Sequence, residues 1–209
     1  MMKKKKILLT GAGGFIGSNI IGKLYQDYEF SILDDFTNQK KFDFISRKMY
    51  SKIYQINDLN IALKNNYDII IHMGAITDTT EDDSEKLNTY NVQYSKNLWN
   101  YSVKNKIPFI YASSAATYGD GAMGFDDSHI SINNLKPLNK YGLSKHVFDL
   151  WALSQNDCPP FWYGMKFFNV YGLNENNKAN MASVVHWGIP FIKKNKYINL
   201  FKSNDELVI

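Results

Sequence analysis

Short apolar runs alternate along the chain with stretches in which apolar positions recur at helical spacing. KILLT (6–10), FSILD (30–34), KIYQI (52–56), YDIIIH (67–72), PFIYASS (108–114) and FWYGMKFFNV (161–170) read as strands. Between the first two, Ile16, Ile20 and Leu24 recur every four residues, one face of a helix. A second helix is expected over about 91–104, with Val92, Leu98, Trp99 and Val103 as its inner face, and a third over about 139–155. Strands alternating with helices predict βαβ units, and right-handed crossovers then build an α/β doubly wound parallel sheet. No internal repeat or low-complexity linker interrupts the pattern. The stretch 119–138, with GDGAMG near its start and Pro137 near its end, is a loop of a length often associated with function.

Composition narrows the class. The 209 residues are 44% apolar and 15% aromatic, so the chain is globular. Its 24 basic and 20 acidic residues give a mild, dispersed net charge of +4, with no patch that calls for nucleic acid. The cluster Lys3–Lys6 is followed by ILLTGAGGFIG, whose glycines break the apolar run too early for a signal peptide. No run approaches the roughly 18 apolar residues of a membrane span. The lone Cys158 has no internal partner, which suits a reducing, cytoplasmic compartment. Four scattered His and one Cys offer no metal-ligand spacing.

The first motif, TGAGGFIG, follows a strand and opens a helix. Gly11, Gly14 and Gly17 are spaced for a tight turn, close backbone approach to a pyrophosphate and close helix–sheet packing. The helix N-terminus supplies N–H groups and a partial positive charge for the anion. In that context a glycine-rich turn reads as a dinucleotide site and the sheet as a Rossmann sheet. Asp34 ends the second strand 20 residues after Gly14, where a carboxylate can accept from a ribose, which favours NAD. Lys40 and Lys41 follow, and a cation there can hold a 2′-phosphate, which favours NADP.

The second motif is YGLSK. Tyr141 and Lys145 lie four apart on one helix face, where an ammonium favours the phenolate of a tyrosine otherwise near pKa 10. The ammonium can also bind a ribose hydroxyl. Ser113 and Ser114 close a strand at the carboxyl edge of the sheet, where ligands sit, and a serine there can share a substrate oxygen with Tyr141. Lys178 stands in the polar, Asn-rich stretch YGLNENNKANMAS; by itself it reads as a solvated lysine.

The ordered set resembles the extended short-chain dehydrogenases/reductases that act on nucleotide sugars, and within them the branch that epimerises ADP-heptose for lipopolysaccharide core biosynthesis. The resemblance runs from about Lys6 to Asn204 and rests on TGAGGFIGSNI, HMGAITDTTE, NVQYSKNLW, PFIYASSAATYGDG, PLNKYGLSK, FFNVYG and KANMASVV. It implies an isomerase using NADP, or NAD, to invert C6″ of the heptose. The implied cofactor contacts are Gly11, Gly14, Phe15, Ile16, Gly17, Asp34, Asp35, Lys41, Met73, Gly74, Ala75, Asn91 and Lys145, with Lys41 on the 2′-phosphate. Tyr141 removes the hydroxyl proton as hydride leaves, Lys145 and Ser114 assist, and Lys178 is the second acid/base on the opposite face of the aldehyde. Ser114, Asn169, Lys178, Asn180 and Phe201 are implied substrate contacts; Tyr118, Thr79 and His186 are weaker candidates. The family's longer chains are expected to form homo-oligomers, and its domains imply an NADP-binding Rossmann domain over 1–170 and the start of a small C-terminal substrate lobe over 171–209.

Two departures stand out. The family's chain continues after the position of Phe201 with a further strand and most of the substrate lobe, so this sequence reads as C-terminally truncated. Trp187, Ile189, Pro190, Phe191 and Ile192 are then expected to lack partners. The family's arginine before FNVYG is Lys166 here. Another nucleotide-sugar epimerase or dehydratase, and a non-catalytic cofactor-binding remnant, are the alternative readings.

Overall fold

The computed structural model describes residues 3–173, 175, 178 and 182–198. The chain divides into two compact units, 1–168 and 169–209. The first contains a six-stranded parallel sheet of order β3-β2-β1-β4-β5-β6. The strands are β1 (Lys5–Thr10), β2 (Tyr28–Asp34), β3 (Lys52–Gln55), β4 (Ile69–His72), β5 (Phe109–Ser114) and β6 (Trp162–Phe167). The order reverses between β1 and β4, and the crevice beyond the carboxyl ends at such a point is where ligands bind.

Period-two alternation sorts the strand residues onto two faces. Ile7, Leu9, Phe30, Ile32 and Ile71 pack with Ile21 of α1 (Phe15–Leu24) and Ile45 of α2 (Gln39–Ile45). Leu8, Leu33, Ile70, Phe109 and Tyr111 pack with Leu98 and Trp99 of α5 (Tyr94–Asn105) and Phe148 and Ala152 of α6 (Lys140–Leu153). Trp99 is 1% exposed and meets Phe109, Phe148, Trp151 and Trp162 edge-on, so it ties both helices to the strands. Full burial of one such apolar side chain contributes ~1.5–3 kcal/mol.

The expected strands and helices form, with informative differences. The strand expected over 161–170 stops at Phe167, because β5 ends at Ser114 and offers no further partner. The helix expected from 91 begins earlier: α4 (Ser84–Leu87), capped by Asp83 accepting from the Lys86 N–H, leads through a π-helical turn (Asn88–Gln93) into α5. Lys40 and Lys41 lie on α2, which buries only Ile45 and so shows no apolar stripe; Asn38 caps it. A short α3 (Leu59–Ala62) follows β3.

β6 pairs with β5 alone among the described residues. On its face away from α6, Tyr163 and Met165 are exposed. In the second unit, α7 (Val184–Asn195) starts at the cap Ser183, which accepts from the His186 N–H. Trp187, Ile189, Phe191 and Ile192 on it are exposed, as is Pro190, but Trp187 meets the His186 ring and Phe191 the Tyr197 ring edge-on, so these two do not lack partners.

Candidate active site

The turn after β1 is built for close approach. Gly11 has φ of 69°, and a Cβ there would lie 2.5 Å from the Gly74 nitrogen. Only glycine allows the two loops that follow β1 and β4 to meet. At Gly17 a Cβ would overlap the Gly11 carbonyl oxygen, so the same absence of side chain lets α1 sit against the turn. Gly14 caps α1 without a side-chain hydrogen bond, and no acidic residue occupies the first turn. The positive end of α1 is therefore not neutralised from within its own first turn, the arrangement that suits a pyrophosphate.

Beside this turn lies a cavity of about 260 Å³ lined by Thr10, Gly11, Asp34, Asp35, Lys41, Ile56, Gly74, Ala75 and Tyr94, among others. Asp34 Oδ2 accepts the Gly13 N–H at 2.9 Å, and Oδ1 accepts the Asp35 N–H at 2.7 Å and the Lys41 ammonium at 2.6 Å. Thus β2 and α2 hold an acid–cation pair at the wall of the cavity. Of the expected contacts after β4, Gly74 and Ala75 line the cavity; Met73 instead packs against the cluster under α1. Phe15 is buried, so what it and Ile16 can offer a phosphate is the backbone of the first helical turn.

Asn91 is 1% exposed, accepts the Ile76 N–H at 2.8 Å, and donates to the Ile76 carbonyl and to Ser144 Oγ, each at 3.0 Å. All three bonds are internal, so Asn91 clamps the loop after β4 to α6 and is not a surface contact. Asn91 lies within the π-helical turn.

On α6, Asn139 caps the helix by accepting the Gly142 N–H, and Tyr141 and Lys145 are both buried. Burial pushes the Tyr141 phenol above its ordinary pKa, opposed by a hydrogen bond with Ser114. The Lys145 ammonium donates to the Ala112 carbonyl at 2.9 Å. Lys145 itself is lowered to about 8 by burial, with Asp149 opposing. The paired serines part company by strand alternation. Ser114 sits on the Tyr141 side, where its hydroxyl oxygen also accepts the Ala116 N–H, whereas Ser113 donates to Asp149.

Sequence reasoning missed a buried polar chain beneath these groups. Thr10 Oγ1 lies 2.5 Å from His72 Nδ1, and His72 Nε2 lies 2.8 Å from Ser95 Oγ. Ser95 donates to the Asn91 carbonyl, and Thr10 Oγ1 accepts the Gly74 N–H. Burial, helped by Lys145, lowers His72 to about 3, so the imidazole is neutral and joins the end of β1 to α5. A His at the end of the strand YDIIIH was its only signal. Tyr118, a weaker candidate, is buried among Phe125 and Phe168, while Thr79 lines a second cleft with Asn139 and Lys140.

In the second unit Lys178 donates to the Val170 carbonyl at 2.9 Å and stands 3.7 Å from Glu175. Glu175 is buried and accepts from the Ser183 N–H, the Ser183 hydroxyl and the Gly172 N–H. Burial works to raise that carboxyl, and the bonds from Ser183 and Gly172 outweigh it and hold it below the usual range. Glu175 therefore ties the Lys178 loop to the start of α7. Asn169 is exposed at the beginning of this unit. Asn180 and Phe201 lie outside the described residues.

Comparison with known proteins fits this geometry. The family described as "NAD dependent epimerase/dehydratase family" matches residues 7–207. An ADP-L-glycero-D-manno-heptose-6-epimerase of Fusobacterium nucleatum is 42% identical over 96% of this chain and 63% of its own length. One of Nitratidesulfovibrio vulgaris is 36% identical over 94% of this chain and 62% of its own. The crystal structure of the Helicobacter pylori enzyme of that name superposes with a TM-score of 0.78 at 30% identity, over 93% of this chain and 65% of that one. The chain thus spans less than two thirds of the length of these relatives. Among the described residues no helix is long and apolar enough to cross a membrane, and no cluster of potential metal ligands occurs. With its glycine turn, Tyr–Lys helix and strand-end serine on a parallel sheet, the chain belongs to the NAD dependent epimerase/dehydratase family.

Proposed function

We propose that this chain carries the cofactor site and acid/base groups of a nucleotide-sugar epimerase that inverts C6″ of ADP-D-glycero-D-manno-heptose. The observation that carries the reading is the convergence of Ser114, Tyr141 and Lys145 at the carboxyl edge of β5, on the sheet whose β1 turn is shaped for a dinucleotide. The relatives' names supply the substrate, and Lys178 separates this reading from a 4-epimerase, which needs no second lysine.

The dinucleotide fits the residues present: the Gly11 turn, the start of α1 and the Asp34–Lys41 wall would hold it, and when bound it supplies hydride acceptance and return. The Lys41 ammonium at that wall favours NADP over NAD. Tyr141 takes the proton of the C6″ hydroxyl as that carbon becomes a carbonyl, and Ser114 holds the same oxygen. Lys145 orients the ribose and stabilises the phenolate. After the aldehyde turns, Lys178 delivers the proton to the oxygen on the opposite face. Two acid/base groups are needed because the oxygen occupies two positions in the cycle.

The test is to append the C-terminal third of the Fusobacterium relative and incubate the chain with the D-glycero substrate and NADP. Appearance of the L-glycero epimer supports the reading. Turnover of UDP-sugars alone contradicts it.

A further inference from the structure

Asp149 lies four residues after Lys145, as Lys145 lies four after Tyr141, so the three form one row along α6. Its carboxylate is 3% exposed and fully engaged. Oδ1 accepts the Tyr111 hydroxyl at 2.8 Å, and Oδ2 accepts the Ser113 hydroxyl at 2.6 Å and the Lys166 ammonium at 3.0 Å. Lys166 also donates to Thr117 Oγ1 at 2.8 Å and lies over the Tyr118 ring. Through Ser113, Asp149 grips β5 between Ala112, whose carbonyl takes the Lys145 ammonium, and Ser114.

An ammonium as deeply buried as Lys145 is costly unless an opposite charge is near. Among the described residues, the charged and titratable groups of this region are Tyr141, His146 and Asp149 on α6, Tyr111 on β5, Tyr118 just beyond it, His72 on β4 and Lys166 on β6; burial lowers His146, with Asp149 opposing. Asp149 is the only carboxylate among them. His72 is neutral, and the tyrosines are held in their phenol form by burial.

We propose that Asp149 is a positioning residue for the Tyr141–Lys145 pair, fixing α6 against the end of β5 and supplying the counter-charge for the buried Lys145 ammonium. The inference rests on the reading of Tyr141 and Lys145 as the catalytic pair. It extends that reading by explaining how a dry lysine keeps its charge near neutral pH. Lys166 shares the carboxylate and is the outer member of the network.

The experiment uses the 209-residue chain. Asp149→Asn alone leaves the partly buried Lys166 ammonium without its carboxylate, so it is made on Lys166→Met, and the pair compared then differs only in the Asp149 charge. The Lys145 Cε–Hε signal is followed by NMR from pH 6 to 11 and assigned by its loss in Lys145→Met. In Lys166→Met the midpoint should stay near 8 or above. In Asp149→Asn/Lys166→Met it should fall by a unit or more, with far-UV circular dichroism unchanged. NADPH affinity, measured in parallel on Lys145→Met, reports the underlying reading independently and should drop at least about tenfold. A folded double variant whose Lys145 midpoint does not move overturns the inference, even where Lys145→Met weakens NADPH. Lys145→Met binding NADPH as tightly as the parent overturns the inference together with the reading beneath it.

Discussion

The Lys41 ammonium stands 2.6 Å from one oxygen of Asp34, while the other oxygen of that carboxylate accepts the Gly13 N–H. One acid thus holds both the glycine turn and the cation beside it. The two residues, which the sequence sets up as rivals for NAD and NADP, form one unit: the acid positions the lysine at the cavity wall.

Replacing Lys41 should therefore change cofactor choice. Lys41→Ala should lose roughly 1.5–3 kcal/mol of NADP affinity, the scale of a charge-assisted hydrogen bond, and leave NAD affinity within about twofold. Calorimetry with both dinucleotides decides it; equal weakening of the two removes Lys41 from the 2′-phosphate.

Gly11→Ala should abolish dinucleotide binding and destabilise the fold, because its φ of 69° is joined to a collision with the Gly74 backbone. Gly124 is the control: its φ is 75° but nothing lies within 4 Å of an added Cβ. Gly124→Ala should cost only about 1 kcal/mol of strain and leave binding intact. Urea unfolding and NADH fluorescence read both effects. Similar losses in the two variants would show that conformation alone, and not the meeting of the two loops, matters at Gly11.

His72 makes a pH prediction. Its folded pKa, about 3, lies below its unfolded value near 6.5. The unfolded chain therefore binds the proton first as pH falls. The stability contributed by neutral His72 is complete above about pH 6.5 and is lost toward pH 3, by about 1.4 kcal/mol per pH unit. The difference in unfolding free energy between the parent and His72→Asn should shrink with that slope on acidification. A constant difference between pH 7 and 5 would show that His72 is protonated in the folded chain.

Tyr141→Phe and Lys178→Met should each reduce epimerisation by at least about 10²-fold in the extended chain, with NADP affinity nearly unchanged. Glu175→Gln should lower activity less, since its amide oxygen can still accept from the Ser183 hydroxyl and the Gly172 N–H, and only the bond from the Ser183 N–H is lost. A fully active Lys178→Met enzyme would return that lysine to an ordinary hydrogen-bonding role.

Much of this was legible in the sequence because it depends on local pattern. The glycine spacing, the strand-end serine and the Tyr141–Lys145 interval are set by turn geometry and helical period, and alternation in KILLT and FSILD already separates the two sheet faces. What was hidden depends on partners far apart in the chain. The bonds of Asn91 to Ile76 and Ser144 join residues 15 and 53 positions away. The helix that carries Lys41 was hidden because α2 has only Ile45 to bury. Asp149 was readable as one more step of the Tyr–Lys spacing, but its role appears only when β5 brings Tyr111 and Ser113 and β6 brings Lys166 to its carboxylate.

The central claim is that C6″ is inverted by removal and return of its own hydride, with Tyr141 and Lys178 as the acid/base groups for its hydroxyl proton. The most direct measurement uses ADP-D-glycero-D-manno-heptose deuterated at C6″, turned over in ordinary water by the extended chain and followed by NMR. The account predicts an epimer that keeps its deuterium at C6″. Loss of the label to solvent would mean that the carbon is inverted through proton exchange, and would contradict it.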